Sequence, residues 1–177
     1  MTKAVFIDKD GTIVEDAGFV HRIEEFKLVP NAVEGLKLLK DYKLFIVSNQ
    51  SGIGRGHFTL NDFNKFNTHL LKELGKNKIK IQKTYFCPHK PEDNCECRKP
   101  KKKFLDEAEK EFNIDFKKSF VIGDRISDIE MGKGAGCKTV QVLTGNKVDD
   151  KNAMNPDYFA EDLLDAAKWI LKNANQK

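Results

Sequence analysis

Ala4-Val5-Phe6-Ile7-Asp8-Lys9-Asp10-Gly11-Thr12 is the stretch on which the fold turns. Four apolar residues read as a buried parallel strand, and the acids and glycine turn behind them put polar chemistry at its carboxyl end, where an α/β sheet keeps its active site. Side chains alternate along a strand, so Asp8 and Asp10 project together into that crevice while Lys9 points elsewhere. Two carboxylates so placed can share one hard cation. They can also divide labour, one attacking as a nucleophile and the other handing over a proton. A solvated turn would carry the same residues with no chemistry, so the rest of the chain has to decide.

Outward from this strand, similar runs recur at Lys43-Val47, Lys83-Phe86, Phe120-Ile122, Thr139-Val142 and Tyr158-Phe159. Between them lie stretches of helical apolar spacing at Ala32-Lys40, Leu60-Leu74, Lys103-Phe112, Ile126-Gly132 and Leu163-Leu171. Strands alternating with helices of this size predict right-handed βαβ units, a mostly parallel Rossmann-like sheet, and a three-layer α/β/α sandwich. Pro30-Asn31 precedes the first helix, and Thr59 with Asp62 forms a capping-box pattern before the second.

The 177 residues suit one domain over 1–177 with a full core. A formal charge of +4, spread evenly over a chain that is 33% charged, does not argue for nucleic acid and serves a small anionic substrate equally well. Met1-Thr2-Lys3 leads straight into the strand with no signal-like apolar segment, and no run approaches a membrane span. A cytoplasmic monomer with reduced cysteines is expected. Only the tail, Lys172 to Lys177, reads as frayed.

Three more strand ends carry chemistry. The second strand ends in Ser48-Asn49-Gln50-Ser51-Gly52-Ile53-Gly54-Arg55-Gly56, a hydroxyl followed by a glycine-rich turn whose free N–H groups suit an anion. After the third comes Arg98-Lys99-Pro100, with Lys99 a point charge for a phosphoryl group and Arg98 a fork for a second anion. Lys101, Lys102 and Lys103 read as solvated surface. The fourth strand runs into Gly123-Asp124-Arg125 and then Asp128, and Asp124 occupies the place that Asp8 has on the first, as a third acid for a magnesium site.

Two carboxylates, a hydroxyl, a lysine and a carboxylate, in this order at four strand ends, resemble the haloacid dehalogenase superfamily of phosphatases over nearly the whole chain. The resemblance implies that Asp8 attacks phosphorus, that Asp10 protonates the leaving alkoxide and then activates water, and that Ser48 and Lys99 steady the transferring group. It places Mg2+ between Asp8, the backbone carbonyl of Asp10, and Asp124. Phosphoryl transfer asks the protein for positioning and for cations, so these residue types suit it.

Cys87, His89, Cys95 and Cys97 bring three thiols and one imidazole into the eleven residues 87–97, a Cys3His set of the kind that closed structural zinc sites use. A disulfide pair or scattered free thiols suit less well a cytosolic chain whose only other cysteine is Cys137, far along in sequence. Cys97 directly precedes Arg98 and Lys99, so Zn2+ there would fix both cations. His21, His57 and His69 have no such company and read as surface or cap-region residues.

Only 37 residues separate Asp10 from Ser48, and 50 separate Ser48 from Lys99, which leaves no room for a cap domain. The site is expected to be open, walled by Glu15 to His21, the Gly54-Arg55-Gly56 turn and the zinc loop. A small capless member with this loop looks like the branch of D-glycero-D-manno-heptose 1,7-bisphosphate phosphatases and histidinol-phosphatases. The Asn49 to Gly56 run and Gly18-Phe19-Val20-His21 are similar to the former, and the short His89-to-Cys95 gap to the latter. Arg55 and Arg98 favour a phosphorylated sugar with two phosphates over a substrate bearing an ammonium group. The resemblance implies removal of the 7-phosphate, with the 1-phosphate held by arginine. It further implies a substrate site of Asp16, Ala17, Gly18, Phe19, Ser48, Asn49, Gln50, Ser51, Arg98, Lys99 and Arg125. A catalytically idle binding module should have lost Asp8 or Asp10, and a DNA 3′-phosphatase should show a basic stripe or stacking aromatics.

Overall fold

The computed structural model describes residues 1–145 and 155–174. In chain order the elements are β1 (Ala4–Ile7), α1 (Ala32–Leu38), β2 (Lys43–Asn49), α2 (Ser51–Gly54), α3 (Leu60–Lys76) and β3 (Ile81–Cys87). There follow α4 (Lys103–Phe112), β4 (Phe120–Gly123), α5 (Ile126–Ala135), β5 (Lys138–Val142), β6 (Tyr158–Ala160) and α6 (Leu163–Asn173). The strands form one parallel sheet in the order β3-β2-β1-β4-β5-β6.

Each strand splits its side chains between two cores, as period-2 alternation requires. Val5 and Ile7 join Leu36, Phe66, Leu70 and Ile170 on the face covered by α1, α3 and α6. Ala4 and Phe6 join Leu105, Ala108 and Met131 on the face covered by α4 and α5. The three-layer α/β/α sandwich is therefore present, with apolar runs in the strands because they are buried on both sides. The first crossover, α1, lies on one face and the helix after β4, α5, on the other. The chain thus changes sides between the adjacent strands β1 and β4, and a crevice opens there at their carboxyl ends.

Local rules hold where they are short-range. Thr59 Oγ1 accepts from the Asp62 N–H at 3.1 Å while Asp62 Oδ2 accepts from the Thr59 N–H at 2.8 Å, the reciprocal capping box expected ahead of α3. α1 stops at Leu38 rather than Lys40, and β3 starts at Ile81 rather than Lys83. α6 continues to Asn173, into the segment expected to fray, and 175–177 lie outside the described residues. Among the described residues no helix is long and apolar enough to cross a membrane.

Candidate active site

Register decides what meets at the crevice. Ile7 pairs with Ile46 and Ile122, so Asp8, Ser48 and Asp124 leave three adjacent strands at nearly one level. Asn49 pairs with Cys87 on β3, and the Gln50 N–H donates to the Cys87 carbonyl at 2.7 Å, which sets the start of the zinc loop beside the end of β2. A cleft of about 530 Å3 results. Asp8, Asp10, Ser48, Lys99, Asp16, Gly18, Phe19, Asn49, Gln50, Ser51, Arg98 and Arg125 line it, together with Val20, Gly52 and Ser127.

At its floor Lys99 Nζ lies 2.7 Å from Asp8 Oδ1, 2.6 Å from Asp128 Oδ1 and 2.9 Å from the Val47 carbonyl. All three ammonium protons are thereby used. Burial works against this charge, but Asp128 and Asp8 outweigh it and hold the lysine well above its ordinary range. Asn49 holds the lysine's backbone at both ends, its Oδ1 accepting the Lys99 N–H at 3.0 Å and its Nδ2 donating to the Lys99 carbonyl at 3.4 Å. Gln50 Nε2 donates to Asp10 Oδ2 and to Ser48 Oγ, each at 2.7 Å, so the Ser48 hydroxyl keeps its own proton to donate into the cleft. Burial pushes the Asp10 carboxyl above the usual carboxylate range, against the nearby Lys9 charge.

Carboxylate oxygens of Asp8, Asp124 and Asp128 lie within 4.8 Å of one another. Asp124 is fully buried beneath the cleft, and among the described residues its Oδ1 has no hydrogen-bond partner. Gly11, at φ +83°, lets the Asp8-to-Thr12 turn close on it; a Cβ there would stand 2.6 Å from Asp124 Oδ2. Burial first, and then the charges of Asp8 and Asp128, push Asp124 up to about 9, and burial pushes Asp128 up to about 6. An orphaned buried oxygen among crowded acids is a donor set that fits a hard divalent cation. Asp128 is already taken by Lys99 and by the Arg125 N–H at 3.2 Å, which leaves Asp8 and Asp124 as the side chains for a metal.

The sign of these shifts gives a test. Folded pKa values raised above the unfolded value of about 4 mean that the metal-free fold binds protons more tightly than the unfolded chain. Its stability from these groups is complete below about pH 4 and is lost as pH climbs through 6 and then 9. Mg2+ should therefore raise the melting temperature more at about pH 8.5 than at about pH 5.5. Equal shifts at both values, measured against metal-free controls, would contradict a cation among these acids.

In the zinc loop Cys97 Sγ lies 3.2 Å from Cys87 Sγ and 3.7 Å from Cys95 Sγ, and His89 Nδ1 lies 3.3 Å from Cys97 Sγ. These separations are too long for a disulfide and near the edge of about 3.8 Å that a Zn–S distance of about 2.3 Å gives a tetrahedron. One zinc ion fits the four ligand atoms. Chelation should cost both activity and more than about 5 °C of melting temperature, and Cys95→Ser should do the same. An unchanged melt after complete removal of zinc would show that the loop stands without it.

Two residues expected in the substrate site are not part of the cleft lining. Ala17 lies outside the cleft lining, and Arg55 turns to the zinc loop, where its Nη2 lies 3.5 Å from Glu92 Oε1. The Gly54-Arg55-Gly56 turn is not a wall either, because the Gly54 N–H donates to the Pro88 carbonyl at 2.9 Å and ties the turn against that loop. The wall on that side is the one-turn helix α2, where only a glycine-rich turn was expected. Arg125 bridges Asp16 at 3.3 Å and Asp124 at 3.2 Å, and so braces the Glu15-to-His21 wall against the metal acids. The three histidines outside the cysteine cluster are packed on aromatic rings: His21 on Phe58, His57 on Phe19 and His69 on Phe26.

Sequence reasoning left two residues without a role. Asp128 is the partner of Lys99, and its signal was an acid at the third position of a helix starting at a strand end. Lys9 does point away from Asp8, but into the protein rather than out of it.

Residues 96–166 match the HAD-hydrolase-like family model. The chain is 38% identical to the D-glycero-β-D-manno-heptose-1,7-bisphosphate 7-phosphatase of Pasteurella multocida, over 96% of this chain and 97% of that one. It is 43% identical to the D-glycero-α-D-manno-heptose-1,7-bisphosphate 7-phosphatase of Campylobacter jejuni, over 82% and 85%. Among solved structures, the D,D-heptose 1,7-bisphosphate phosphatase of B. bronchiseptica, complexed with magnesium and phosphate, superposes with a TM-score of 0.89 at 26% identity, covering 97% of this chain and 99% of that one. With identity at this level carried along almost the full length of its relatives, the chain belongs to the heptose-1,7-bisphosphate 7-phosphatases of the haloacid dehalogenase superfamily.

Proposed function

We propose that the cleft hydrolyses the 7-phosphate of D-glycero-D-manno-heptose 1,7-bisphosphate through a phosphorylated Asp8. The arrangement around Asp8 carries this reading: a buried carboxylate held by Lys99 at 2.7 Å, with Asp10 and Ser48 oriented beside it by a single glutamine. Held at Oδ1, Asp8 presents itself in one orientation, and its attack forms an O–P bond as the bond from phosphorus to the C7 oxygen breaks. Asp10 Oδ2 gives its proton to the leaving alkoxide. It then takes one from the water that attacks phosphorus and frees Asp8. Ser48 donates to the transferring phosphoryl group, and Lys99 balances its charge. Mg2+, held by Asp8, the Asp10 carbonyl and Asp124, would neutralise charge between carboxylate and phosphate. A zinc ion behind Arg98 would be structural, because Cys87, His89, Cys95 and Cys97 would fill all four of its positions.

Among the described residues, recognition of the second phosphate falls to Arg98, since Arg55 lies outside the cleft lining beside Glu92 and Arg125 is paired with Asp16 and Asp124. Arg98 lines the cleft, and its Nη1 donates to the His89 carbonyl at 3.3 Å, which leaves the rest of its fork for an anion. Arg98→Ala should lose about ten- to a hundredfold in kcat/KM on the bisphosphate, the worth of one charge-assisted contact, and little on para-nitrophenyl phosphate. The parent should prefer the heptose bisphosphate to histidinol phosphate by at least about tenfold. A better rate on histidinol phosphate, with Arg98→Ala equally harmful to every ester, would remove the sugar from this reading.

A further inference from the structure

Lys9 lines no part of the cleft, and its chemistry is unused in the steps above. Its side chain is fully buried and leaves β1 toward the face covered by α1, α3 and α6, where Nζ sits 4.6 Å over the Phe66 ring. Among the described residues its ion-pair partner is Asp10, with Oδ1 2.8 Å away, and neither Lys9 Nζ nor Asp10 Oδ1 has a hydrogen-bond partner there, so the ion pair is the contact that joins them. Burying an ammonium is costly, and a methionine or leucine would fill the space over Phe66 without that cost. The charge is explained by what it does to Asp10. That carboxylate is divided: Oδ1 is buried against Lys9, while Oδ2 takes the Gln50 amide at the cleft.

We propose that Lys9 is a positioning residue that pins Asp10 Oδ1 from inside the protein, so that Oδ2 alone faces the leaving oxygen and the incoming water. The inference rests on the reading of Asp10 as the proton carrier. Without the pin the carboxylate can swing about its side-chain torsions, and the fraction of complexes aligned for proton transfer falls. Substrate binding does not pass through this contact.

The test compares Lys9→Met, Lys9→Arg, Asp10→Asn and the double variant Lys9→Met/Asp10→Asn in the full-length, metal-loaded enzyme, with heptose 1,7-bisphosphate as the probe. For Lys9→Met we expect kcat to fall about ten- to a hundredfold, KM to change by less than about threefold, and the melting temperature to fall, because the buried Asp10 Oδ1 loses its partner. Lys9→Arg should recover most of the loss, and in the Asp10→Asn background Lys9→Met should change kcat by less than about threefold. Should Lys9→Met not fold, Lys9→Gln carries the same comparisons. The inference is overturned by parent-like kcat in the uncharged variant, by failure of a folded Lys9→Arg to recover, or by an equal loss in both backgrounds. Parent-like turnover in Asp10→Asn would instead overturn the reading of Asp10; an inactive Asp10→Asn beside a fully active Lys9→Met overturns only the role of Lys9.

Discussion

Asp8→Asn should abolish turnover while leaving the protein folded. The substitution keeps the shape of the side chain and removes the anionic oxygen that attacks phosphorus, so kcat should fall by about 10^3- to 10^5-fold with little change in KM. Stability should move little, because two effects oppose each other. Lys99 loses one of its two carboxylate partners, but Asp124 and Asp128 lose a neighbouring like charge in a buried cluster. A folded Asp8→Asn protein that kept activity within about tenfold of the parent would exclude Asp8 as the nucleophile.

Lys99→Met should fail in both chemistry and stability, which sets it apart from Asp8→Asn. The substitution removes the cation between Asp8 and Asp128, which are themselves buried, and an unpaired buried charge costs about 3–5 kcal/mol. For a chain of this size that is a loss of roughly 10 °C in melting temperature. Asp128, already pushed up to about 6 by burial, can escape by taking up a proton, so the deficit should shrink as pH falls toward 5. Turnover should drop by about 10^3-fold or more on every ester, since a charge that balances the transferring phosphoryl group is lost whatever the rest of the substrate. A variant melting within about 2 °C of the parent at neutral pH would mean that Lys99 does not offset these acids.

What was legible in the sequence was what depends on neighbours along the chain. The apolar runs at Val5-Ile7, Phe120-Ile122 and Thr139-Val142 could be read as strands because parallel strands are buried on both faces. Asp8, Ser48, Lys99 and Asp124 could be placed because chemistry at a strand's carboxyl end needs only the strand to be found. Cys87, His89, Cys95 and Cys97 announced through spacing alone a cluster that could hold a metal. What could not be read depends on partners far along the chain. Alternation gave the direction of Lys9 but not its destination, since Phe66 comes from α3. The direction of Arg55, a long side chain on an exposed turn, is set by Glu92 in the zinc loop, and its counterpart Arg98 could be told from it only once the loop was folded. Asp128 sat in plain view after Asp124, but its bond to Lys99 joins residues that only the β1–β4 crevice brings together.

Rapid acid quench of the enzyme with heptose 1,7-bisphosphate carrying radiolabel in one phosphate at a time puts the covalent step and its regiochemistry to a single test. With label at the 7-phosphate, protein-bound, acid-stable and hydroxylamine-labile radioactivity should appear in the peptide containing Asp8 within one turnover. It should be absent from Asp8→Asn and should accumulate in Asp10→Asn, where hydrolysis is impaired. With label at the 1-phosphate the protein should stay unlabelled. Turnover without protein-bound label, or label arriving from the 1-phosphate, would contradict an aspartyl-phosphate route to the 7-phosphate.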